Sequence, residues 1–489
     1  MGSFVEGVRM SDLPQTFRDA IHVAKELGLS YIWIDALCII QDDPEDWTIE
    51  SSRMRSVYGN SYVNLAASSA TNVHEGFFSK PEDYKYYSGG FCAPVSTTEC
   101  STIREFHSGS VYKENSESTH LATRAWTLQE RLLPARTISF GVTGIFWECR
   151  SGIRSEFFPC GIPGPFVPHQ VCPEDQAWYW DDIIAQYAAA DLTNPEDKLP
   201  ALAGIARRQQ EATGHQYLAG MWKESLVTGI IWVVEGRRKR PAWRAPSWSW
   251  MAVDSQIFDS GKNFRLNTDG VKQYISVLDA WTTPSGPDRF GKVSDGLLSL
   301  ACTALVRAHL LGYDEAEKDQ KAKQTEEHQL VRLNGVNSSL PISMDVLEEE
   351  SSCSDVYLLP VCGGPSGNAR IQKRLRNNGD HEKNIRSDGN EEHNESDREE
   401  ERVEELVMYG LVLRACGQNT GDSGRFSRVG SFSLGNMNRD PFSEEPDRNY
   451  YGEFMEVLDR RGHQTVGGKS PSGPERTDSI RRHLDITIE

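Results

Sequence analysis

The sequence lacks the paired cysteines, long apolar runs and basic stripes that mark several large classes of protein. Ten cysteines are spread over 489 residues without a Cys-x-x-Cys pair, so the sequence predicts no metal site. No run approaches the roughly 18 apolar residues that cross a bilayer, and the amino terminus has no secretory pattern. We therefore expect a cytoplasmic protein with reduced thiols and no membrane insertion.

The charge of the chain is acidic and unevenly distributed. The formal net charge is -19, and residues 380–405 contribute -8 of it with twelve acids and four bases. No basic stripe, zinc finger or helix-turn-helix pattern is present, so the sequence predicts no nucleic-acid partner. Protein partners or self-association are the interactions we expect.

The chain is longer than one hydrophobic core usually supports, and its patterns change along its length. An α/β pattern over 11–150 is followed by a helical, Trp-rich connecting region over 175–260 and a β-rich region over 261–436. Polar segments poor in apolar residues predict disordered insertions at 314–350 and 364–405. A Gly-, Pro- and Ser-rich stretch predicts a loose linker at 437–478.

The front of the chain alternates helical and strand patterns. "LPQTFRDAIHVAKELG" predicts an amphipathic helix, and the apolar run Tyr31–Ile34 predicts a buried strand. "DDPEDWTIESSRMRSVYGN" predicts a capped helix, and "SYVNLAA" predicts a second buried strand. A helix at the start of such a pattern normally crosses over from a preceding parallel strand. We expect that strand to be missing or to lie outside this chain.

A second block of motifs lies between residues 119 and 149. It predicts a short helix that stops near Pro134, followed by two apolar runs joined by "GVTG" that are typical of a β-hairpin. Farther along, "DKLPALAGIARRQQEATG" and "YLAGMWKESLVTGIIWVV" predict helices.

These two blocks resemble the fungal heterokaryon incompatibility (HET) domain family. The resemblance rests on "LPQTFRDAIHVAKELGLSYIWIDALCIIQDDPEDWTIESSRMRSVYGNSYVNLAAS" and on "TRAWTLQERLLPARTISF" with "IFWEC". Relatives normally carry an Ala-Leu-Ser-Tyr-Cys-Trp-Gly strand ahead of the first helix, and this chain has only ten unrelated residues before Ser11. The resemblance implies a partial α/β domain of TIR-like or flavodoxin-like fold, truncated at its amino terminus.

The resemblance also implies a function and a chemistry. Members of the family act in nonself recognition and programmed cell death, and their domain has been compared with the TIR fold, which can form signalling scaffolds or cleave NAD. We expect a signalling module without a cofactor. The alternatives are an NAD glycohydrolase with NAD as its substrate, and an inactive remnant.

Two acids in the first block are candidate catalytic residues. Asp35 follows the predicted strand at the edge where open α/β sheets bind ligands, or it caps the next turn. Glu50 lies on the helix between Trp47 and Met54, where a carboxylate within an apolar stripe is either paired or functional. Under the TIR comparison, Glu50 is the candidate for the catalytic glutamate. Asp42, Asp43 and Asp46 are read as helix caps.

The second block supplies a cluster that either binds a ligand, such as a phosphate or nucleotide, or forms a structural polar network. Arg131 could pair with acids of the first block. The residues are Arg124, Trp126, Gln129, Glu130 and Arg131.

Overall fold

The structure is a computed structural model of the 489-residue chain. Its mixed helices and sheets form an α/β protein with a β-rich carboxyl-terminal region. The residues that it describes are 7–78, 91–96, 101–106, 111–156, 158–162, 179–259, 270–310, 329–333, 336–346, 354–375, 398–416, 424–435, 449–461 and 484–489.

The chain divides into two compact units. The first contains residues 1–224, 241–257 and 281–296, and the second contains 225–240, 258–280 and 297–489. The α-helices are α1 (Gln15–Glu26), α2 (Asp35–Cys38), α3 (Pro44–Gly59), α4 (Val111–Ser116), α5 (Trp126–Leu132), α6 (Trp180–Ala188), α7 (Pro200–Thr213), α8 (Leu226–Gly229) and α9 (Tyr450–Arg461).

The strands follow the same order along the chain. They are β1 (Asn64–Ala66), β2 (Phe91–Ser96), β3 (Ser101–Phe106), β4 (Arg136–Gly141), β5 (Gly144–Cys149), β6 (Gly152–Ser155), β7 (Tyr217–Leu218), β8 (Met221–Trp222), β9 (Trp232–Glu235), β10 (Gln256–Asp259), β11 (Lys272–Gln273), β12 (Ile275–Pro284), β13 (Val293–Cys302), β14 (Val306–Leu310), β15 (Gln329–Leu333), β16 (Val336–Leu340), β17 (Ile342–Met344), β18 (Ser354–Leu375), β19 (Arg398–Ala415), β20 (Arg425–Gly435) and β21 (Leu484–Ile488).

The main sheet of the first unit has the order β1-β4-β5-β6. Strand β1 pairs with β4 in parallel, with Leu65 opposite Ile138. Strands β4 and β5 are antiparallel, so the hairpin predicted at "GVTG" is confirmed. Gly144 has a φ of +143°, a value that L side chains rarely adopt, which explains the glycine at this turn.

The capped helices of the first unit are confirmed where the sequence places them. Helix α3 begins at Pro44, and the Asp43 side chain accepts hydrogen bonds from the backbone N–H groups of Glu45 and Asp46. Helix α7 ends at Gly214, whose φ of +74° is the left-handed conformation that favours glycine.

The predicted buried strand at Tyr31–Ile34 is wrong. Ile34 has extended backbone angles, but no residue of the run is assigned to a strand, and Tyr31 is 94% exposed. Tyr31, Ile32 and Trp33 make no backbone–backbone hydrogen bond within the described part of the chain. A strand needs a neighbour for its backbone groups, and none of the described strands lies beside this run.

The predicted helix over "YLAGMWKESLVTGIIWVV" is also replaced by other elements. A two-residue hairpin forms at β7 and β8, followed by the short α8 and by β9. Ala219 and Gly220 both have positive φ, and the Gly220 carbonyl accepts hydrogen bonds from the indole N–H groups of Trp180 and Trp250. This tight turn and its indole partners outweigh the helical spacing of the apolar residues.

The second unit is built on a large sheet. Its strand order is β12-β13-β21-β20-β19-β18-β14-β15-β16, with β11 on β18 and β17 on β20. The core of this sheet contains Val356, Met408, Val412 and Leu434, all fully buried. The β-rich carboxyl-terminal region predicted from the sequence is therefore present.

Several residues assigned to the disordered insertions and the loose linker form regular structure. Strands β15, β16 and β17 lie within 314–350, together with the described residues 341, 345 and 346, and parts of β18 and β19 lie within 364–405. The remaining residues of these two segments fall outside the described ones. Helix α9 lies within the predicted linker 437–478. It forms because Tyr450 and Phe454, four residues apart, are both buried in the core, where Phe454 contacts Phe432.

A buried ion pair holds the second unit together at Arg428. The Arg428 side chain is fully buried and donates to both carboxylate oxygens of Asp345, at 2.9 and 3.2 Å. It also donates to the carbonyls of Ile230 and Trp232, at 2.5 Å each, and its guanidinium carbon lies 3.2 Å from the Trp232 ring centroid. Removal of this side chain would remove the ion pair, both carbonyl hydrogen bonds and the ring contact together.

Replacing Arg428 with alanine should destabilise the protein strongly. Arg428→Ala leaves Asp345 buried without its cation, which typically costs about 3–5 kcal/mol. Arg307→Ala is the matched control, because Arg307 pairs with Asp355 at the surface of the same unit and such pairs contribute about 1 kcal/mol or less. Urea unfolding measures the free energy of unfolding of both variants. Equal decreases in the two variants would contradict the assigned role of Arg428.

Candidate functional site

A cavity of the first unit has a volume of about 1170 Å³. Its walls come from α1, the run 31–34, the end of α3, strand β1, the segment 116–124 and α5. It lies beside the edge of β1 that has no partner among the described strands. The position of the cavity is thus set by the unpaired edge of the sheet.

Much of the cavity wall is apolar, and part of it is open to solvent. Phe17, Ala20 and Ala24 line it from one face of α1. Tyr31 and Tyr62 line it as well and are 94% and 64% exposed. Exposed large apolar groups gathered at one concave surface are typical of a binding site.

A polar cluster of Asp35, Tyr58, Arg124 and Glu130 occupies one part of this cavity wall. The Tyr58 hydroxyl donates a hydrogen bond to the Glu130 carboxylate, while Asp35 and Arg124 are close enough to act on Glu130 electrostatically. Trp33 contacts Tyr58 edge-on, with ring centroids 5.5 Å apart. The structure therefore brings together residues from both of the sequence blocks.

Burial and the neighbouring Asp35 raise the pKa of Glu130 to about 7. The positive charge of Arg124 and the hydrogen bond from Tyr58 act in the opposite direction but do not cancel the increase. Burial, with the charges of Glu130 and Asp35, also raises the pKa of Tyr58. A carboxyl group that titrates near neutral pH can both donate and accept a proton, as general acid–base chemistry requires.

Backbone contacts hold the cluster in place. The Asn64 side chain at the start of β1 donates to the Glu130 carbonyl at 2.8 Å. The chain at Arg124 forms a β-bridge with Asp191, whose carbonyl accepts from the Ala125 N–H at 3.0 Å. Helix α5 is therefore anchored to the sheet and to the segment before α7.

Gln129 and Trp126 have packing roles on the same helix. Gln129 is buried and donates to the Pro200 carbonyl of α7 at 3.4 Å. A Cβ built on Gly204 would lie only 2.0 Å from the Gln129 side-chain oxygen, so this glycine allows α5 and α7 to approach closely. The Trp126 ring meets Trp47 edge-on at 5.6 Å.

Arg131 belongs to a separate network and pairs with neither Asp35 nor Glu50. Its guanidinium lies 2.9 Å from a carboxylate oxygen of Glu117 and 3.7 Å from one of Glu148. Tyr112 donates to Glu148 at 2.7 Å and accepts from Arg131 at 3.4 Å. These partners of Arg131 all lie outside the first motif block.

Glu50 lies outside the cavity wall. Its carboxylate pairs with Arg53 one turn later on α3, at 2.7 Å, and its side chain is 18% exposed. Asp35 is the first residue of α2, its carboxylate accepts from the Ala36 N–H at 2.7 Å, and it lines the cavity. Of the two candidate acids, only Asp35 joins the polar cluster.

Sequence reasoning did not single out Tyr58 as a site residue. Tyr58 occupies the last turn of α3, and its partner Glu130 belongs to the other motif block. The only feature of the sequence that could have indicated Tyr58 is its position on the helix, one turn after Met54 of the apolar stripe. Glu117, Tyr112 and Glu148 were missed for the same reason, because their partner Arg131 is distant along the chain.

The described residues show neither a metal-binding group nor a membrane-spanning helix. They contain no group of three or more His, Cys, Asp or Glu side chains that could hold a metal ion. None of their helices is both long and apolar enough to span a membrane.

Comparison with known proteins identifies the front of the chain. The family model described as heterokaryon incompatibility protein (HET) matches residues 3–130, and this segment is therefore similar to the HET domain. All four residues of the polar cluster lie within it. No curated protein and no solved structure matches the chain.

The raised pKa of Glu130 predicts a pH-dependent stability. Because the folded state holds this proton more tightly than the unfolded state, ionisation of Glu130 destabilises the fold as the pH rises from about 4.5 to 7. The wild type should lose on the order of 2–3 kcal/mol relative to Glu130→Gln across this window. Urea unfolding of both proteins from pH 4.5 to 8 measures the difference.

Asp35→Asn provides the matched control. Removing the Asp35 charge should lower the pKa of Glu130, since Asp35 helps to raise it, and so bring down the upper limit of the pH window of destabilisation. A stability difference between wild type and Glu130→Gln that does not vary with pH would contradict the raised pKa of Glu130.

Proposed function

We propose that the chain is an incompatibility-type signalling protein of fungal nonself recognition, and that its HET domain acts through self-association or the binding of protein partners. The observation that carries this proposal is the match of the HET family model to residues 3–130. In the family that the sequence resembles, activation of this domain leads to growth arrest or cell death. The chain would thus transmit a recognition event rather than process a metabolite.

Features of the first unit support an interaction role. Tyr31, Ile32 and Tyr62 are exposed apolar side chains that line one concave surface. The adjacent edge of β1 carries backbone groups with no strand partner among the described residues. Apolar groups and an open sheet edge are the elements from which protein-binding surfaces are commonly built.

Expression in a filamentous fungus tests the signalling role. Induction of the full chain should arrest growth or kill cells. Ala125→Asp, which places a charge at a residue that is 1% exposed within the HET domain, should remove the effect because the domain no longer folds. Colony growth and vital staining provide the readout.

Arg307→Ala, an exposed substitution in the second unit, should leave the growth effect intact and serves as the control. The proposal fails if induced wild-type chain leaves growth unchanged and the purified protein remains monomeric at all concentrations in sedimentation velocity.

A second candidate function is hydrolysis of NAD to nicotinamide and ADP-ribose. The observation that favours it is the carboxyl group of Glu130, with a pKa of about 7, on the wall of a cavity large enough for a dinucleotide. In this reaction the bond between the ribose C1′ and the nicotinamide nitrogen breaks, and water supplies the oxygen that bonds to C1′. Glu130 would accept a proton from that water, and Arg124 would bind a phosphate.

Nicotinamide release from NAD tests this candidate and assigns the acid. Glu130→Gln should abolish release, whereas Glu50→Gln should retain it if the cavity is the active site. The reverse result would support Glu50, the acid that the TIR comparison suggests. Absence of nicotinamide release by the wild type rejects the enzyme function.

A further inference from the structure

The unpaired run 31–34 and the unpaired edge of β1 line the same cavity. Tyr31, Ile32 and Trp33 have no backbone–backbone hydrogen bond within the described residues, and Ile34 has extended angles. Among the described strands, β1 pairs only with β4. Extended backbone with unused N–H and C=O groups is the template on which another strand assembles.

The size of the cavity suits a segment of polypeptide. Its volume of about 1170 Å³ exceeds the roughly 300–1,000 Å³ typical of small-molecule pockets. The Ile34 carbonyl already accepts from the N–H groups of Leu37 and Cys38, so the unused backbone of the run is that of residues 31–33. These three residues and the three of β1 could each pair with a strand of about four to six residues. An inserted strand would also cover the apolar face of α1 that now lines the cavity.

The charges on the cavity wall indicate an uncharged occupant. Acids and bases balance, three of each: Asp35, Glu117 and Glu130 against Lys113, Arg124 and Arg131. Arg131 and Glu117 already satisfy each other as an ion pair. The remaining wall consists of aliphatic and aromatic side chains together with serines, threonines, Asn64, His120 and Gln186. Away from the six charged groups, a charged side chain in the middle of the occupant would lose its hydration without gaining an ion-pair partner.

We propose that this cavity binds an extended, mainly apolar and uncharged segment of a protein partner, which pairs on one side with residues 31–33 and on the other with β1. The inserted segment would link the run to β1, and the sheet would then continue across the edge that is now open. This inference deepens the proposed interaction role by defining the partner, but it is measured on purified protein and can hold even if induction in fungal cells leaves growth unchanged.

The probe is a capped, fluorescein-labelled hexapeptide, Ser-Val-Ile-Val-Ala-Thr, added to the full chain. Saturable binding in fluorescence anisotropy is expected, together with slower hydrogen exchange at the amides of residues 31–34 and 64–66. Absence of saturable binding, or binding without this protection, overturns the proposal.

Two methylated peptides test whether the segment pairs on both sides. Successive N–H groups of a strand point to opposite neighbours, so N-methylation of the odd-numbered or of the even-numbered residues removes the donors on one side only. Both methylated peptides should bind more weakly. If only one is affected, the peptide adds to a single edge and the insertion is refuted.

Two protein variants locate the binding surface. Ile32→Lys should weaken binding by about tenfold or more, because a charge would face the apolar occupant. Ile49→Lys is the matched control, since Ile49 is 44% exposed, Ile32 is 38% exposed, and only Ile32 lines the cavity. Binding to Ile49→Lys should stay within about twofold of wild type. Equal effects of the two variants would contradict the proposed surface.

Discussion

The need of every strand for a hydrogen-bonding neighbour is the constraint on which the first unit depends. Strand β1 meets it on one side through β4, while its other edge and the run 31–34 have no partner among the described strands. The cavity, the exposed apolar groups beside it and the access to the polar cluster all follow from this open edge. A closed sheet at this position would bury Tyr31 and Ile32 instead of exposing them.

Helix α5 connects this edge to the rest of the unit, because its side chains contact several different elements. Trp126 packs against Trp47 of α3, and Gln129 packs against α7 at Gly204. Glu130 faces the cavity with Tyr58, whereas Arg131 forms an ion pair with Glu117. Four neighbouring positions of one short helix therefore serve packing, a candidate site and a structural network.

The sequence predicted local structure well where capping residues and turn residues mark it. Asp43 caps the start of α3, and the "GVTG" turn lies in the hairpin that it predicts. Prediction failed where tertiary contacts decide. Tyr31–Ile34 reads as a strand but has no described neighbour, and Tyr217–Trp222 reads as a helix but forms a hairpin whose turn accepts two indole hydrogen bonds.

The candidate site was predictable only in part. Asp35, Arg124 and Glu130 were singled out by their positions in the two motif blocks, and all three line the cavity. Their meeting with Tyr58 depends on how α3 and α5 pack, which local spacing does not encode. Local spacing was also insufficient for Glu50. Helical spacing placed this residue in an apolar stripe, but in the structure its carboxylate pairs with Arg53 one turn away.

Hydrogen exchange of the free protein tests the central claim most directly. If the edge is open, the amides of Tyr31, Ile32 and Trp33 should exchange at rates close to those of an unfolded peptide, whereas those of Ile138 and Phe146 in the β4–β5 hairpin should be strongly protected. Protection of residues 31–33 equal to that of the hairpin would mean that the run is already paired, and would contradict the account.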